Sequence, residues 1–113
     1  MIYRNADAAP VQMFPGLVRR TLADGESMMM CEFTFETGVT VPNHTHPHEQ
    51  VGYVVSGRVR MTIEDKSFEL GPGDSYHAPS NVPHSALTLQ PSVVVDTFSP
   101  PREDYRQAAA GRS

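Results

Sequence analysis

Residues 44–57, HTHPHEQVGYVVSG, carry the strongest structural signal in the chain. They open with three closely spaced histidines and continue as an apolar strand sequence that ends in a Ser56-Gly57 turn. On both sides of this segment the recurring period is two, which is the spacing of a β-strand with one buried face. Residues 29–35 and 58–64 alternate apolar and polar side chains in this way. No stretch has the apolar spacing of a substantial helix.

Ten Pro and eight Gly divide the sequence into short segments. We predict a meander of at least three strands within residues 50–70, then strands over 75–78, 84–89 and 93–99. Eight or nine short strands joined by Gly, Pro and Asn turns predict an all-β antiparallel sandwich or barrel of the jelly-roll kind. Residues 103–110 are expected to form one or two helical turns or to remain irregular.

The composition indicates one small domain, since 39% of the 113 residues are hydrophobic. A net charge of −4 with scattered Lys and Arg argues against nucleic acid or an anionic membrane as a partner. Cys31 is the single cysteine, so we expect no intrachain disulfide and a buried, apolar role for it. The first residues lack the features of a signal peptide, and no run approaches about 20 apolar residues. We therefore expect a cytoplasmic protein.

The histidines between residues 44 and 84 suggest a metal site. Because residues i and i+2 of a strand face the same side, His44 and His46 are expected to direct two imidazoles into one cavity. Gln50 offers a neutral amide oxygen, and His84 begins another strand that the fold could bring to the same point. The alternative is a set of surface histidines or an adventitious metal binder.

For several other polar side chains the sequence does not assign a role in the metal site or the cavity. Pro47 disturbs the alternation at His48, and nothing near His77 is expected to pair with it, so neither is predicted as a ligand. Four side chains that could line the mouth of the cavity cannot be oriented from the sequence, namely Tyr53, Arg58, Arg60 and Tyr76.

A second group of candidates follows in the last predicted strand. Asp96 interrupts an apolar run, and Phe98 faces the same side two residues later. A carboxyl beside an apolar ring can have the raised pKa that suits proton transfer, whereas a turn-capping or ion-paired Asp is the alternative. Phe98 is either core or a surface on which a sugar stacks. Arg102 follows two prolines, and its planar guanidinium can bind a substrate carboxylate through two hydrogen bonds. The alternative is an ion pair with Glu103 or Asp104, which the sequence does not distinguish from substrate binding.

Two motifs resemble those of the cupin family. Residues 38–57 contain G-x5-H-T-H-x3-Q-x6-G, with Gln where most cupins have Glu, and residues 73–84 contain G-D-x4-P-S-N-x2-H. Asn81 stands where Gly is usual, a mild departure because Asn tolerates a left-handed turn. The resemblance implies a small single-domain cupin jelly-roll β-barrel over residues 1–113, with its core at about 17–99 and a short tail at 100–113. It also implies one metal ion with four ligands, His44, His46, Gln50 and His84.

Residues 44–57 and 96–105 are more narrowly similar to the KdgF family of pectin-degradation cupins. In that family three His and one Gln bind a divalent metal, and the matching pocket residues here are Asp96, Phe98 and Arg102. The resemblance implies ring opening and ketonisation of 4,5-unsaturated monouronates from pectin or alginate into linear 5-keto-4-deoxyuronate. The metal is left open among Ni, Zn, Fe, Mn and Co. The expected partners are an anionic sugar and a second copy in a homodimer.

The proposed chemistry suits these residue types. Ring opening and ketonisation need a Lewis acid, a proton carrier and a cation that holds the carboxylate. A metal on four neutral ligands keeps its full charge, so Gln50 favours chelation of an anionic substrate. Two alternatives stay open at this point, a metal-dependent cupin dioxygenase that consumes oxygen and a non-catalytic sugar-binding cupin.

Overall fold

The structure, a computed structural model, describes residues 1–106. Short 3-10 helices span Asn5–Asp7 and Glu103–Tyr105. Between them lie the strands β1 Val11–Phe14, β2 Leu17–Asp24, β3 Met29–Phe35, β4 Thr40–His44, β5 Glu49–Ser56, β6 Val59–Ile63, β7 Lys66–Leu70, β8 Ser75–Ala78, β9 His84–Thr88 and β10 Ser92–Ser99. In the part of the chain that is described, no helix is long and apolar enough to cross a membrane.

The strands form two antiparallel sheets. The six-stranded sheet has the order β1-β2-β3-β10-β5-β8, and the four-stranded sheet has the order β4-β9-β6-β7. This arrangement confirms the predicted all-β jelly roll, as a sandwich of two sheets whose strands pair within each sheet.

The predicted meander over residues 50–70 is wrong, because β5 and β6 lie in different sheets. Gly57, at φ +90°, carries the chain from one sheet to the other. A Cβ at this position would lie 2.2 Å from the Ser92 hydroxyl oxygen, so only glycine fits the crossing. Pairing with β10 and β8 places β5 in the larger sheet, whereas β6 pairs with β7 and β9.

Most strands match the alternation seen in the sequence. The bounds of β3 and β8 agree with the predicted ranges, and those of β9 and β10 differ by one residue. The six-stranded sheet also includes β1, which begins at Val11 and pairs with β2. Of the segment 103–110, the structure shows one 3-10 turn at Glu103–Tyr105, and residues 107–110 lie outside the described part.

The core lies between the two sheets. Inward-facing positions of β3 are buried and alternate with more exposed ones, as a strand with one buried face requires. Cys31 is fully buried there, and burial raises the pKa of its thiol to about 11, so the predicted apolar role is confirmed. Leu17, Val54 and Phe98 complete this layer beneath the polar end of the sandwich.

Candidate metal centre

Three histidines meet at one end of the sandwich. His44 is the last residue of β4, His84 is the first of β9, and the two strands pair at these residues. The nitrogen atoms that His44, His46 and His84 offer lie within 4.8 Å of one another. The expectation that His46 continues the strand of His44 is wrong, because β4 ends at His44 and His46 lies in the following loop. Asn81 N–H donates to the His46 carbonyl (2.9 Å) and holds this loop.

Backbone carbonyls orient all three imidazoles in the same way. The Nδ1 atoms of His44, His46 and His84 lie 2.8, 2.9 and 2.9 Å from the carbonyl oxygens of Pro42, His48 and Val82. A carbonyl only accepts, so each Nδ1 carries the proton and each Nε2 keeps a free lone pair. Imidazoles that ligate metals are commonly fixed by such a bond on the other ring nitrogen.

The buried histidines are uncharged at neutral pH. Burial, the Arg102 charge and His84 lower the pKa of His46 to about 4. Burial also lowers the pKa of His84, with His44 and Arg102 acting in the same direction. A neutral imidazole is the form that binds a metal, so these rings need no deprotonation near pH 7.

Gln50, on β5, completes the cluster. Its Oε1 atom lies 3.0 Å from Nε2 of His46. With the His46 proton on Nδ1, both of these atoms are acceptors, so this contact lacks a hydrogen. Nε2 of His84 is likewise buried and has no hydrogen-bond partner among residues 1–106. Lone pairs that converge in this way fit a cation, and His nitrogen and amide oxygen atoms are among the donors that would hold one.

A row of residues across three strands adjoins Gln50. Asp96 of β10 pairs with Gly52 of β5, which pairs with Tyr76 of β8. Tyr76 O–H donates to Asp96 Oδ1, and Gln50 Nε2–H donates to the Tyr76 oxygen (2.8 Å). A Cβ on Gly52 would lie 2.1 Å from the Tyr76 ring and 2.3 Å from the Asp96 carboxylate. The missing side chain of Gly52 therefore allows the two neighbouring side chains to meet.

Asp96 is buried and titrates near neutral pH. Burial raises its pKa to about 7, against hydrogen bonds from Tyr76 and Gln50 that lower it. Burial and the Asp96 charge raise the pKa of Tyr76 well above its ordinary value, so the phenol keeps its proton. A carboxyl with a pKa near 7 can both accept and return a proton at physiological pH.

Arg102 lies over an aromatic pair. Its guanidinium carbon is 4.0 Å from the ring centre of Tyr105 and 5.3 Å from that of Phe98. The Arg102 guanidinium also donates two hydrogen bonds to Asp104 (2.9 and 3.2 Å), and its side chain is 14% exposed. Arg102 thus forms the ion pair with Asp104 that the sequence left open as an alternative, and it also lines the cavity.

The cavity between the sheets has a volume of about 290 Å³. The polar residues of its lining are His44, Gln50, Tyr76, His84, Ser85, Asp96, Arg102 and Tyr105. The other lining residues, Phe98 among them, are apolar.

Several other candidates lie outside this cavity. Tyr53 is exposed on the outer face of β5, and Arg58 and Arg60 form exposed ion pairs with Glu69. The expectation that His77 lacks a partner is wrong, because its Nε2 lies 2.7 Å from a carboxylate oxygen of Glu49. Pairing of β8 with β5 brings these two exposed residues together.

Sequence reasoning missed the contributions of Gly52, Tyr105 and Arg19, and it named Tyr76 as a candidate without orienting it. Buried Arg19 lies with its guanidinium carbon 4.4 Å from the Tyr105 ring centre, on which Arg102 also packs. One available signal was Gly52 itself, because a glycine inside an apolar strand often marks the close approach of another group.

Comparison with known proteins agrees with this geometry. Residues 31–98 match the family described as Cupin domain. The chain is 35% identical over 92 residues to the pectin degradation protein KdgF of Dickeya dadantii, covering 80% of this chain and 84% of that protein. The chain is a cupin of the KdgF type.

Solved structures place the whole sandwich in the same family. The cupin superimposes on KdgF from Halomonas sp. with a TM-score of 0.89 at 33% identity, covering 94% of this chain and 98% of that one. An RmlC-like cupin from Shewanella frigidimarina gives the same TM-score at 30% identity, with coverage of 93% and 95%. The three-histidine cluster of this cupin therefore lies in a fold shared by its relatives over nearly their full length.

Proposed function

We propose that this cupin converts 4,5-unsaturated monouronates from pectin or alginate breakdown into linear 5-keto-4-deoxyuronate. The observation that carries the proposal is a single cavity whose lining includes Asp96 and Arg102 together with His44, Gln50 and His84. A proton carrier, an anion-binding cation and a set of metal ligands are the three groups that this isomerisation needs. Similarity to KdgF supports the same substrate class.

His44, His46, Gln50 and His84 are proposed to hold one divalent metal ion. When bound, the ion supplies a Lewis acid toward the oxygen atoms of the substrate. All four donors are neutral, so they leave its positive charge intact for an anionic sugar.

Asp96 moves the proton in the proposed reaction. Its carboxylate accepts the proton of the C1 hydroxyl while the bond between C1 and the ring oxygen breaks. C1 becomes an aldehyde, and the ring oxygen keeps the electron pair as an enolate at C5. Asp96 then returns the proton to C4, and C5 becomes a ketone. The product is an isomer of the substrate, so the reaction needs no oxidant.

Arg102 is proposed to bind the substrate carboxylate. Asp104 and the Tyr105 ring already hold its guanidinium in place, so little side-chain freedom is lost on binding. The Arg102→Ala variant should mainly raise KM, and Arg102→Lys should recover only part of the loss because an ammonium lacks the planar pair of donors.

An NMR time course on purified unsaturated monouronate tests the function, with oxygen monitored in the same sample. We expect faster appearance of the linear keto sugar with the metal-loaded protein than without it, and no oxygen uptake. Oxygen consumption with iron and no acceleration would favour the dioxygenase. Saturable sugar binding without turnover would favour the non-catalytic sugar-binding cupin. A saturated uronate serves as the control substrate, because it has no enolic carbon to protonate.

A further inference from the structure

The hydroxyl of Tyr76 lies between Gln50 and Asp96, and the direction of its two hydrogen bonds is fixed whenever Asp96 is ionised. An ionised carboxylate only accepts, so the Tyr76 proton is committed to Asp96. The phenol oxygen can then only accept from Gln50, and Nε2 is the side of the amide that donates (2.8 Å). The Gln50 amide is therefore held with Oε1 toward His46.

Without this restraint the Gln50 amide would prefer the opposite orientation. Oε1 of Gln50 faces the Nε2 lone pair of His46 at 3.0 Å, a contact between two acceptors. Rotation of the amide by half a turn would place Nε2–H against that lone pair and form a hydrogen bond. It would also direct an amide N–H, which cannot ligate a cation, toward the metal position.

We propose that Tyr76 is a positioning residue that fixes the Gln50 amide with its oxygen toward the metal. The proposal rests on Gln50 as a ligand in the proposed site but not on the sugar reaction. It also predicts that the restraint matters only when residue 50 is Gln, because a carboxylate offers an oxygen to the metal in either orientation.

Metal affinity in two backgrounds tests the proposal, measured for Zn²⁺ by competition with a chromogenic chelator. In the Gln50 protein, Tyr76→Phe should weaken Zn²⁺ binding about tenfold, which is typical of losing a group that orients a ligand. In the Gln50→Glu protein the same Tyr76→Phe change should leave affinity unaltered. Tyr53→Phe, which removes an exposed hydroxyl on the outer face, is the matched control and should have no effect.

An equal loss in both backgrounds would overturn the proposal, since it would show that the hydroxyl only supports the local structure. Unchanged affinity in Tyr76→Phe would do the same, while the metal site itself would stand if His84→Ala still abolished binding. Should Gln50→Glu fail to fold, NMR of metal-free Tyr76→Phe decides. We expect the Gln50 amide protons to gain contacts with the His46 ring, and retained contacts with residue 76 would contradict the proposal.

Discussion

Asp96 is the side chain on which turnover should depend most. Asp96→Asn keeps the shape of the carboxyl but cannot exchange a proton, so kcat should fall about 10²-fold or more with little change in KM. Steady-state kinetics at saturating metal measure both constants. If Asp96→Asn kept the wild-type kcat, another group, such as a metal-bound water, would have to carry the proton.

Burial of Asp96 also makes stability depend on pH. Its pKa is about 7 in the folded protein against an ordinary value of 3.8, so the folded state binds the proton more tightly. The resulting stabilisation is complete below the unfolded pKa and is lost as the pH rises through 7. Metal-free wild type should therefore lose stability relative to Asp96→Asn between about pH 4 and about pH 8.

Thermal unfolding of the two metal-free proteins across this range measures the effect. The lowered pKa of His46 changes stability with pH in the opposite direction. Because both proteins contain His46, its contribution cancels in the difference between their stabilities. Asp65→Asn, in an exposed turn, is the control and should run parallel to wild type. A constant difference between wild type and Asp96→Asn at all pH values would contradict the raised pKa.

At the scale of the strand, β5 depends on the missing side chain of Gly52. Gly52→Ala would place a methyl group against both the Tyr76 ring and the Asp96 carboxylate, so either β8 or β10 must shift. We expect a loss of about 2 kcal/mol or more in the free energy of unfolding, together with weaker activity. Chemical denaturation and the NMR assay measure these changes. Gly25→Ala, whose Cβ would meet its nearest atom at 3.3 Å, should cost much less.

The sequence predicts strands better than it predicts which strands pair. Alternation is a local property, and it placed the bounds of β3 and β8 correctly. Sheet membership depends on contacts distant in the chain, and the meander through Gly57 failed for that reason. The histidine cluster was predictable because motif spacing marks it. The Tyr76 contact was not, because it requires the register of three strands whose order in the sheet is not their order in the sequence.

For the whole molecule, metal binding should stabilise the fold. A metal at about 100 times its Kd adds about 2.7 kcal/mol to the free energy of unfolding if only the folded state binds it. Wild-type Tm should therefore rise on addition of Zn²⁺ or Ni²⁺, whereas His84→Ala should show little rise and little bound metal by mass spectrometry. Full metal occupancy in His84→Ala would show that His84 is not a ligand of the metal. His77→Ala, at the exposed pair with Glu49, is the matched control.

A homodimer remains our prediction for the oligomeric state. Val51, Tyr53 and Val55 project from the outer face of β5 and are each about half exposed, which provides an apolar surface for a second copy. Sedimentation at micromolar concentration should give about twice the 12.5 kDa chain mass. Tyr53→Lys should return the mass to that of one chain. A wild-type mass of 12.5 kDa would contradict the dimer.

The two side chains proposed to act on the sugar are encoded within seven consecutive residues. Asp96 lies within β10 and Arg102 follows that strand, whereas the histidine cluster comes from β4, β9 and the loop after β4. A single exchange of residues 96–105 between cupins would therefore replace the substrate-contacting set and leave the histidines in place. We therefore expect recombination of one short gene segment to change specificity while the three-histidine cluster is kept.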